Sequence, residues 1–455
     1  MSRILPPAAA ARVFAALAAG YVLSYGLRSV NAAIAPELVA DLGLSNAALG
    51  GLTSAYFFAF AALQLPLGIW LDRYGSRRTN GILLMVAALG CTIFALADSF
   101  TMLWIGRALI GAGVAGALMA SVRVYRFWFR PQLQQSLMAW MLVAGSLGAL
   151  AATVPVRLTL PLVGWRGVFL GAAVLLVVAA IGILRLLPTD EPTVARQPGD
   201  ESIWRGYLVV FGEPYLWRFG VIALVAQSAF IAFQSLWTGP WFTEVLGMSP
   251  GAAAQALLAF NIVMMLGFLG VGWALPRLAA AGWEVPRLLV VVTAVVVVLH
   301  LTIPFVDGYL AVALWMAYGA VATIYVPAQS YVCLSFPEAL TGRAFTAFNL
   351  LVFVGVFVVQ WLFGVIVDFA SAGAVADAQG FRRALFVWAL LEAAALAVFV
   401  GWRVSPRLDG QPARSCSALG FPAGAIAPGG SPRRRHHRPP GRPGRYRRGF
   451  RRGSR

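Results

Sequence analysis

The sequence predicts an all-α membrane protein, on the basis of composition, segment length and charge placement. Of the 455 residues, 60% are hydrophobic and only 11% are charged, whereas soluble proteins carry about 25% charged residues. Continuous apolar stretches recur from residue 12 to residue 403, and each has about the 20 residues that cross a bilayer as a helix. Strands of a membrane barrel would instead alternate apolar and polar residues over about ten positions.

Twelve of these stretches are long enough to be membrane spans. They cover residues 12–34, 46–70, 80–98, 101–124, 136–159, 165–187, 217–242, 252–275, 287–304, 308–333, 345–369 and 381–403. A segment rich in Pro, Asp, Glu and Arg separates the first six from the last six. We therefore expect an N-terminal six-helix bundle over residues 1–187, a cytoplasmic linker over 188–216, and a C-terminal bundle over 217–403.

The arginines indicate the orientation of the spans, because cytoplasmic loops of membrane proteins carry an excess of basic residues. One set of loops holds Arg73, Arg77, Arg78, Arg126, Arg130, Arg205, Arg218, Arg277, Arg287 and Arg343. The opposite loops carry mainly the acids Glu37, Asp41, Asp98, Glu244 and Asp307. Arg382 and Arg383, before the last span, break this trend. Both termini are therefore expected in the cytoplasm.

The C-terminal segment 404–455 differs in character from the rest of the chain. Its last 25 residues, Ser431–Arg455, contain 11 arginines together with many Pro and Gly, a composition that cannot form a hydrophobic core. We expect a disordered tail. An extension without a function is one interpretation, attachment to anionic lipid head groups is another, and nucleic-acid binding is chemically possible but not expected.

A charged segment between the second and third apolar stretches is the most specific motif. It reads Gly68-Ile-Trp-Leu-Asp72-Arg73-Tyr-Gly75-Ser-Arg77-Arg78. The segment resembles the signature loop of the major facilitator superfamily, in which Ser76 departs from the usual basic residue. The resemblance implies twelve helices in two pseudo-symmetric six-helix bundles, and it gives Gly68, Asp72, Arg73, Gly75 and Arg77 a role in gating. Asp72 is expected to hold one access state closed on the cytoplasmic side.

Two further segments support the same resemblance. Arg107-Ala-Leu-Ile-Gly111-Ala-Gly113 on the fourth span looks like the second motif of the family. It would place Arg107 as an intramembrane charge near a cavity or a gate, and Gly111 at a close contact between helices. On the fifth span, Gly145, Gly148 and Pro155 loosely resemble the glycine-rich motif of antiporters, although helix packing alone also explains these glycines.

Arg28 is the strongest candidate for substrate binding, because an arginine within a membrane span is costly and is functional by default. Tyr21 and Tyr25 precede it at spacings that place all three on one helical face, and Asn31 follows. The segment resembles the first span of superfamily members that move organic anions, in which an arginine binds a carboxylate or phosphate. The alternatives are an arginine that reaches the outer interface, or one paired with Glu37 or Asp41.

The corresponding span of the second half has no arginine. It offers Gln227, Gln234, Trp237 and Trp241 close to one face, and Gln234 is the substrate-binding candidate among them. A single cation with polar and aromatic neighbours suits a small organic acid better than a phosphate ester. Interfacial placement is the competing explanation for Trp237 and Trp241.

Acidic candidates for ion coupling are few. Glu392 lies inside the last span, where pairing with Arg382 or Arg383 is the favoured explanation, and His300 is expected at the membrane interface rather than in a proton relay. All 35 basic residues other than histidine are arginines, so the chain has no lysine for a Gly-x-x-x-x-Gly-Lys phosphate loop. Its three cysteines are too few for a disulfide framework.

These features favour secondary active transport over enzymatic function. We expect a monomeric carrier of the bacterial inner membrane that binds a small organic anion, and protons, and that needs no cofactor or metal. A proton-coupled exporter of drugs or metabolites is the alternative within transporters. A membrane enzyme or a scaffold is the alternative outside them.

Overall fold

The computed structural model describes residues 4–188, 202–371 and 378–404, and the regular secondary structure within these ranges is entirely helical. The prediction of an all-α protein is confirmed. The helices are α1 Pro7–Leu42, α2 Asn46–Leu71, α3 Arg73–Ala95, α4 Phe100–Trp128, α5 Pro131–Ala151, α6 Val154–Leu186, α7 Ser202–Phe211, α8 Pro214–Val245, α9 Pro250–Ala280, α10 Val285–Phe305, α11 Gly308–Leu334, α12 Glu338–Ala370 and α13 Ala378–Gly401.

Eleven helices in the described ranges are long and apolar enough to cross a membrane. The predicted fifth span corresponds to α5, whose apolar part, Ser136–Ala151, is shorter. The remaining helix, α7, lies in the segment predicted as a linker. Its Tyr207 hydroxyl lies 2.9 Å from the Thr346 hydroxyl of α12, so this part of the connection is a packed helix. Residues 189–201 and 405–455 lie outside the described ranges, and the domain boundaries there stay predictions.

Two glycines break helices at positions that require a positive φ. Gly75, with φ 76° and ψ 163°, interrupts the helix close to the junction of α2 and α3. Gly164, with φ 65° and ψ 175°, divides α6 into a short first part and a long second part. Residues with a Cβ rarely adopt these angles. Gly75 is therefore the residue of the signature segment that allows the chain to turn.

Helix α8 is irregular in a way that the sequence does not reveal. Three of its turns are π-helical, namely Ala223–Gln227, Phe233–Trp237 and Trp241–Val245. Such turns are rare, and they occur frequently at functional sites because the extra residue redirects the neighbouring side chains. Gln227 and Gln234 both lie in these turns.

The two halves of the chain contact each other closely along α2 and α12, and along α1 and α8. A Cβ on Gly50 of α2 would lie within 3.0 Å of the Gln360 carbonyl oxygen of α12, and one on Gly239 of α8 would lie as close to the Ala32 carbonyl oxygen of α1. Real Cβ atoms do not come so near. Glycine therefore permits backbone-to-backbone contact between the halves at both places.

Candidate functional site

Tyr21, Tyr25 and Arg28 lie on one face of α1, as their spacing predicts. The rings of Tyr21 and Tyr25 are 5.0 Å apart and steeply inclined to each other, and the Arg28 guanidinium carbon lies 4.4 Å from the centre of the Tyr25 ring. Two glycines of α5 make room for this face: a Cβ on Gly145 would meet the Tyr21 ring, and one on Gly148 would meet the Val22 carbonyl oxygen. Helix packing thus accounts for both glycines.

Arg28 lies where the two halves meet. Its guanidinium carbon is 5.7 Å from the ring centre of Phe60 on α2 and 5.5 Å from that of Phe353 on α12. The two phenylalanine rings contact each other across the boundary, with centroids 4.3 Å apart. The face of an aromatic ring attracts a cation, so three rings stabilise the charge of Arg28.

The described residues place no carboxylate within salt-bridge distance of Arg28. The alternative partners suggested by the sequence pair elsewhere: Glu37 forms a salt bridge with Arg157, and Asp41 Oδ2 lies 2.6 Å from Arg166 Nη1. The Nε of Arg28 has no hydrogen-bond partner in the described part of the chain. The interpretation that Arg28 pairs with Glu37 or Asp41 is therefore wrong.

Arg107, the second buried arginine, supports the backbone of α1 beside Arg28. Its Nη1 donates a hydrogen bond of 3.0 Å to the carbonyl oxygen of Leu27. The guanidinium carbon lies 4.8 Å from the Phe94 ring centre and 5.0 Å from that of Phe169. Arg107 is 1% exposed and Arg28 is 8% exposed, so Arg107 is the more completely enclosed of the two. Its Nε and Nη2 have no hydrogen-bond partner in the described part of the chain.

Gly111, from the same motif, brings α4 close to α2. A Cβ on Gly111 would lie within 3.0 Å of the Tyr56 carbonyl oxygen. Tyr56 in turn donates its hydroxyl to the Ser24 carbonyl oxygen at 3.3 Å and interacts with Arg28. Gly111 therefore helps to hold Tyr56 against the face of α1 that carries Arg28.

Asn31 and Gln234 form polar contacts around α1. Asn31 Nδ2 donates to Thr53 Oγ1 at 2.7 Å, which ties α1 to α2. Gln234 Nε2 donates to Ser29 Oγ at 3.1 Å and to Asn261 Oδ1 at 3.0 Å. Gln234 thus joins the second half to the residue next to Arg28. Contact of either side chain with a substrate stays a prediction.

Contacts between the halves lie on both sides of Arg28. Toward the end of the molecule where α2 begins, Asp368 of α12 accepts hydrogen bonds from Asn46 N, Asn46 Nδ2 and Ala47 N, at 3.2, 3.0 and 2.7 Å. One helical turn beyond Phe60 in the other direction, Gln64 Oε1 accepts from Asn349 Nδ2 at 2.9 Å. Arg28 therefore lies between two layers of contacts that join the halves.

The signature segment lies at the α2–α3 junction. Arg77 Nε donates to the Leu184 carbonyl oxygen of α6 at 2.5 Å, and Arg73 is exposed beside Tyr74. A Cβ added to Gly68 would have no neighbour within 4 Å. The side chain of Asp72 lies outside the described part of the structure, so its gating role stays a prediction.

Two interpretations made from the sequence are wrong. Trp237 and Trp241 are each 1% exposed and contact Phe363 and Trp315 respectively, so they are core residues rather than interfacial ones. Glu392 pairs with His300, at 2.8 Å between Oε2 and Nδ1.

The arginines proposed as partners of Glu392 bind elsewhere. Arg382 pairs with Asp307, and Arg383 Nη1 donates to the Ala370 carbonyl oxygen at 2.6 Å. His300 itself is fully buried, so the prediction that it lies at the membrane interface is also wrong.

The sequence did not indicate the aromatic partners of Arg28. Phe60 and Phe353 belong to spans with many similar apolar residues, and their meeting depends on how the halves dock. A cavity of about 320 Å³ lies elsewhere, between α9, α10 and α11, beside Gly267, Leu278 and Thr323. Its lining is apolar and does not include Arg28.

The comparisons with known proteins agree with this architecture. The profile described as Major Facilitator Superfamily matches residues 17–360. The chain belongs to the major facilitator superfamily. This membership confirms the resemblance found in the sequence.

The names of the relatives within the superfamily describe different functions. A probable L-galactonate transporter of Escherichia coli is 32% identical over 152 residues, which are 33% of each chain. A chloramphenicol resistance protein of Streptomyces lividans is 30% identical over 297 residues, 62% of this chain and 73% of the relative. This chain therefore matches only a third of the length of the first relative.

Solved structures of the superfamily share the fold. A bacterial homologue of the human lysosomal transporter Spinster, in an inward-facing and unoccupied conformation, superposes with a TM-score of 0.70 at 17% identity. The superposition covers 87% of this chain and 97% of that structure. The predicted superfamily fold is confirmed.

Proposed function

We propose that this superfamily member is a secondary active transporter of a small organic anion, with Arg28 as the group that binds the anion. The observation that carries the proposal is the position of Arg28: a buried guanidinium at the boundary of the two halves, surrounded by Tyr25, Phe60 and Phe353, without a carboxylate partner among the described residues. A buried charge costs free energy unless it is paired, and a substrate anion would supply the missing partner.

The surrounding groups suit a compact carboxylate. A guanidinium binds a carboxylate through two parallel hydrogen bonds, which is strong and directional. The polar side chains Gln234 and Asn261 lie close to Ser29, next to Arg28, and can accept or donate hydrogen bonds to hydroxyl groups of a sugar acid. We include Tyr21, Tyr25, Asn31 and Gln234 in the proposed binding site.

The test is a binding titration of purified protein with L-galactonate, alongside its neutral counterpart L-galactose. We expect Arg28→Ala to weaken L-galactonate binding by at least about 30-fold, about 2 kcal/mol or more, because breaking a buried charged pair costs roughly 2–5 kcal/mol. Arg28→Lys should restore binding only in part, since an ammonium lacks the planar fork. Binding of L-galactose should change little.

The matched control is Arg287→Ala, which removes an arginine at the start of α10, outside the proposed site. It should bind L-galactonate like the wild type. Equal affinity of Arg28→Ala and wild type for the anion would reduce Arg28 to a structural residue. If L-galactonate itself is not bound, the same titration is carried out with a panel of other small carboxylates.

A second candidate function is export of a drug-like solute, favoured by the similarity to the chloramphenicol resistance protein over 297 residues. Chloramphenicol is neutral, so its transport would not need a cation in the site. If export is the function, cells that express the protein should accumulate less labelled chloramphenicol, and Arg28→Ala should behave as the wild type.

The proposal also covers the coupling ion, the membrane in which the protein lies and its orientation there. We place the protein in the bacterial inner membrane as a monomer with both termini in the cytoplasm, and we take protons as the coupling ion. A cysteine introduced at Arg78, which is exposed after the signature turn, should then be protected from an impermeant thiol reagent in intact cells. Labelling from outside would refute this orientation.

A further inference from the structure

A buried pair of ionisable side chains lies inside the second half of the chain. His300 of α10 and Glu392 of α13 face each other with 2.8 Å between Nδ1 and Oε2, and both side chains are 0% exposed. The contacts of Arg28 include neither residue. The nearby arginines of α13 do not neutralise the pair, because Arg382 binds Asp307 and Arg383 binds a backbone carbonyl group.

The pair is surrounded mainly by aromatic rings. The His300 ring centre lies 5.3 Å from that of Phe233, 6.1 Å from Trp315 and 4.4 Å from Tyr318. The ionisable groups that face the pair are Tyr318 and Tyr325, both of α11 and both within electrostatic reach of Glu392. Phe233 of α8 packs against the His300 ring. Thr293 of α10 accepts a hydrogen bond from the Tyr325 hydroxyl at 3.2 Å.

Four polar atoms at this cluster lack a hydrogen-bond partner within the described part of the chain. They are His300 Nε2, Glu392 Oε1, Tyr318 OH and Trp315 Nε1. Buried polar groups are nearly always paired, and each exception needs an explanation. Both members of the pair therefore keep an unused polar atom in addition to the bond that they share.

The protonation of the pair decides whether it can remain buried. A carboxylate beside a neutral imidazole carries one negative charge, and an isolated buried charge is strongly disfavoured. One added proton makes the pair neutral overall, either as carboxylic acid and imidazole or as carboxylate and imidazolium. The pair can thus hold one added proton between Nδ1 and Oε2 without a net charge.

We propose that the His300–Glu392 pair is the binding site for the coupling proton of this transporter. The proton is taken from water on one side of the membrane, is held between Nδ1 and Oε2, and is released to water on the other side when the surrounding helices move. This inference rests on the proposed function, since it assigns the ion that drives transport of the substrate.

A short path of contacts connects the pair to the proposed substrate site. Phe233, which packs on the His300 ring, is followed directly by Gln234, which donates a hydrogen bond to Ser29 beside Arg28. Both residues belong to the same π-helical turn of α8. A displacement of α8 relative to α1 would therefore alter the packing over His300 as well as the surroundings of Arg28.

The first experiment separates driven transport from exchange, with labelled L-galactonate and reconstituted protein. Glu392→Gln should lose at least about tenfold in accumulation driven by a pH gradient. It should retain exchange of internal for external L-galactonate without a gradient, because exchange requires no net movement of protons. Glu244→Gln, which changes an exposed carboxylate, is the control and should retain both activities. Arg28→Ala should lose both.

Accumulation by Glu392→Gln at the wild-type level would overturn the proton assignment and leave the anion site untouched. If this variant does not fold, Glu392→Asp replaces it. The shorter carboxylate should shift the pH at which accumulation is half-maximal, and an unchanged pH profile would contradict the proposal.

A second experiment needs no substrate, and so it decides the proton assignment even if L-galactonate is not carried. Purified wild type in weakly buffered detergent solution is titrated from about pH 5 to about pH 9. It should release about one proton per molecule more than the double variant His300→Gln, Glu392→Gln, because an interacting pair titrates as a unit. Equal proton release by the two proteins would refute the proposal.

Discussion

Gly75, close to the junction of α2 and α3, has φ 76° and ψ 163°, angles that are almost restricted to glycine. Gly68, seven residues earlier in the same motif, lies in regular helix and has open space where a Cβ would be. The two glycines of the signature segment therefore have different structural roles, although both match the motif equally well.

We expect Gly75→Ala to lower the free energy of unfolding by about 1–3 kcal/mol, the cost of a strained backbone conformation. Gly68→Ala should leave it unchanged or slightly raised, since alanine favours helix. Cys91 and Cys333 are buried, so a thiol-reactive dye reports thermal unfolding in detergent. Equal stability of the two variants would show that the turn at position 75 is not required.

The two buried arginines also differ at the residue scale. Arg107 has a fixed partner, the Leu27 carbonyl oxygen, and two aromatic rings that enclose it. Arg28 has aromatic neighbours on both halves. The aromatic rings near Arg107 belong to one half, whereas Arg28 lies near rings of both halves. The binding role proposed for Arg28 rests on this difference in position.

At the scale of elements, helix α4 depends on small residues where it meets its neighbours. Gly111 faces the Tyr56 carbonyl oxygen of α2, and Gly113 faces the Ala87 amide of α3, each within 3.0 Å of a Cβ added there. In contrast, a Cβ on Gly182 of α6 would have no neighbour within 4 Å.

Gly111→Ala should destabilise the protein by about 1–3 kcal/mol, because overpacking forces the helices apart. It should also weaken anion binding, since Tyr56 would move away from Arg28. Gly182→Ala, the control, should preserve stability and binding. The dye-based unfolding assay and the L-galactonate titration measure the two effects, and wild-type values for Gly111→Ala would contradict the assigned contact.

The sequence predicted the features that depend on local spacing. The face shared by Tyr21, Tyr25 and Arg28 follows from helical periodicity, and the turn between α2 and α3 follows from a glycine within a charged segment. The arginine of the second motif was expected near a cavity or a gate, which stays a prediction. The structure shows that its side chain binds the backbone of α1, within the same half.

Contacts between distant segments could not be predicted in this way. His300 and Glu392 are 92 residues apart, and the nearest arginines in the sequence offered a simpler partner for the acid. Phe353 meets Phe60 only because α12 docks on α2. The π-helical turns of α8 have no sequence signal that we recognise, although they determine where Gln234 points.

At the scale of the whole molecule, Asp368 closes one end of the boundary between the halves. Its carboxylate accepts two backbone N–H groups at the start of α2, where the helix dipole favours a negative charge. The contact joins α12 to α2 and so stabilises the conformation in which this end is shut. In the predicted orientation this is the extracytoplasmic end.

Asp368→Asn should shift the population toward opening at this end by a factor of about 5–30, because charge-assisted hydrogen bonds contribute about 1–2 kcal/mol more than neutral ones. Spin labels at Leu96 and Tyr309, which are exposed, would show a larger share of long distances. Asp307→Asn, whose partner Arg382 lies in the same half, is the control. An unchanged distance distribution for Asp368→Asn would argue against the closure.

The unpaired charge of Arg28 has a consequence for how tightly two cargoes are linked. With the anion and the proton both absent, the guanidinium and the deprotonated His300–Glu392 pair add up to zero, and with both present each proposed site is neutral by itself. A carrier that holds only one of the two has a net charge, which the low-dielectric interior disfavours during reorientation. Electroneutral movement of one anion with one proton is thus the transition with the smallest electrostatic barrier, and slippage with a half-filled carrier is suppressed by charge imbalance alone.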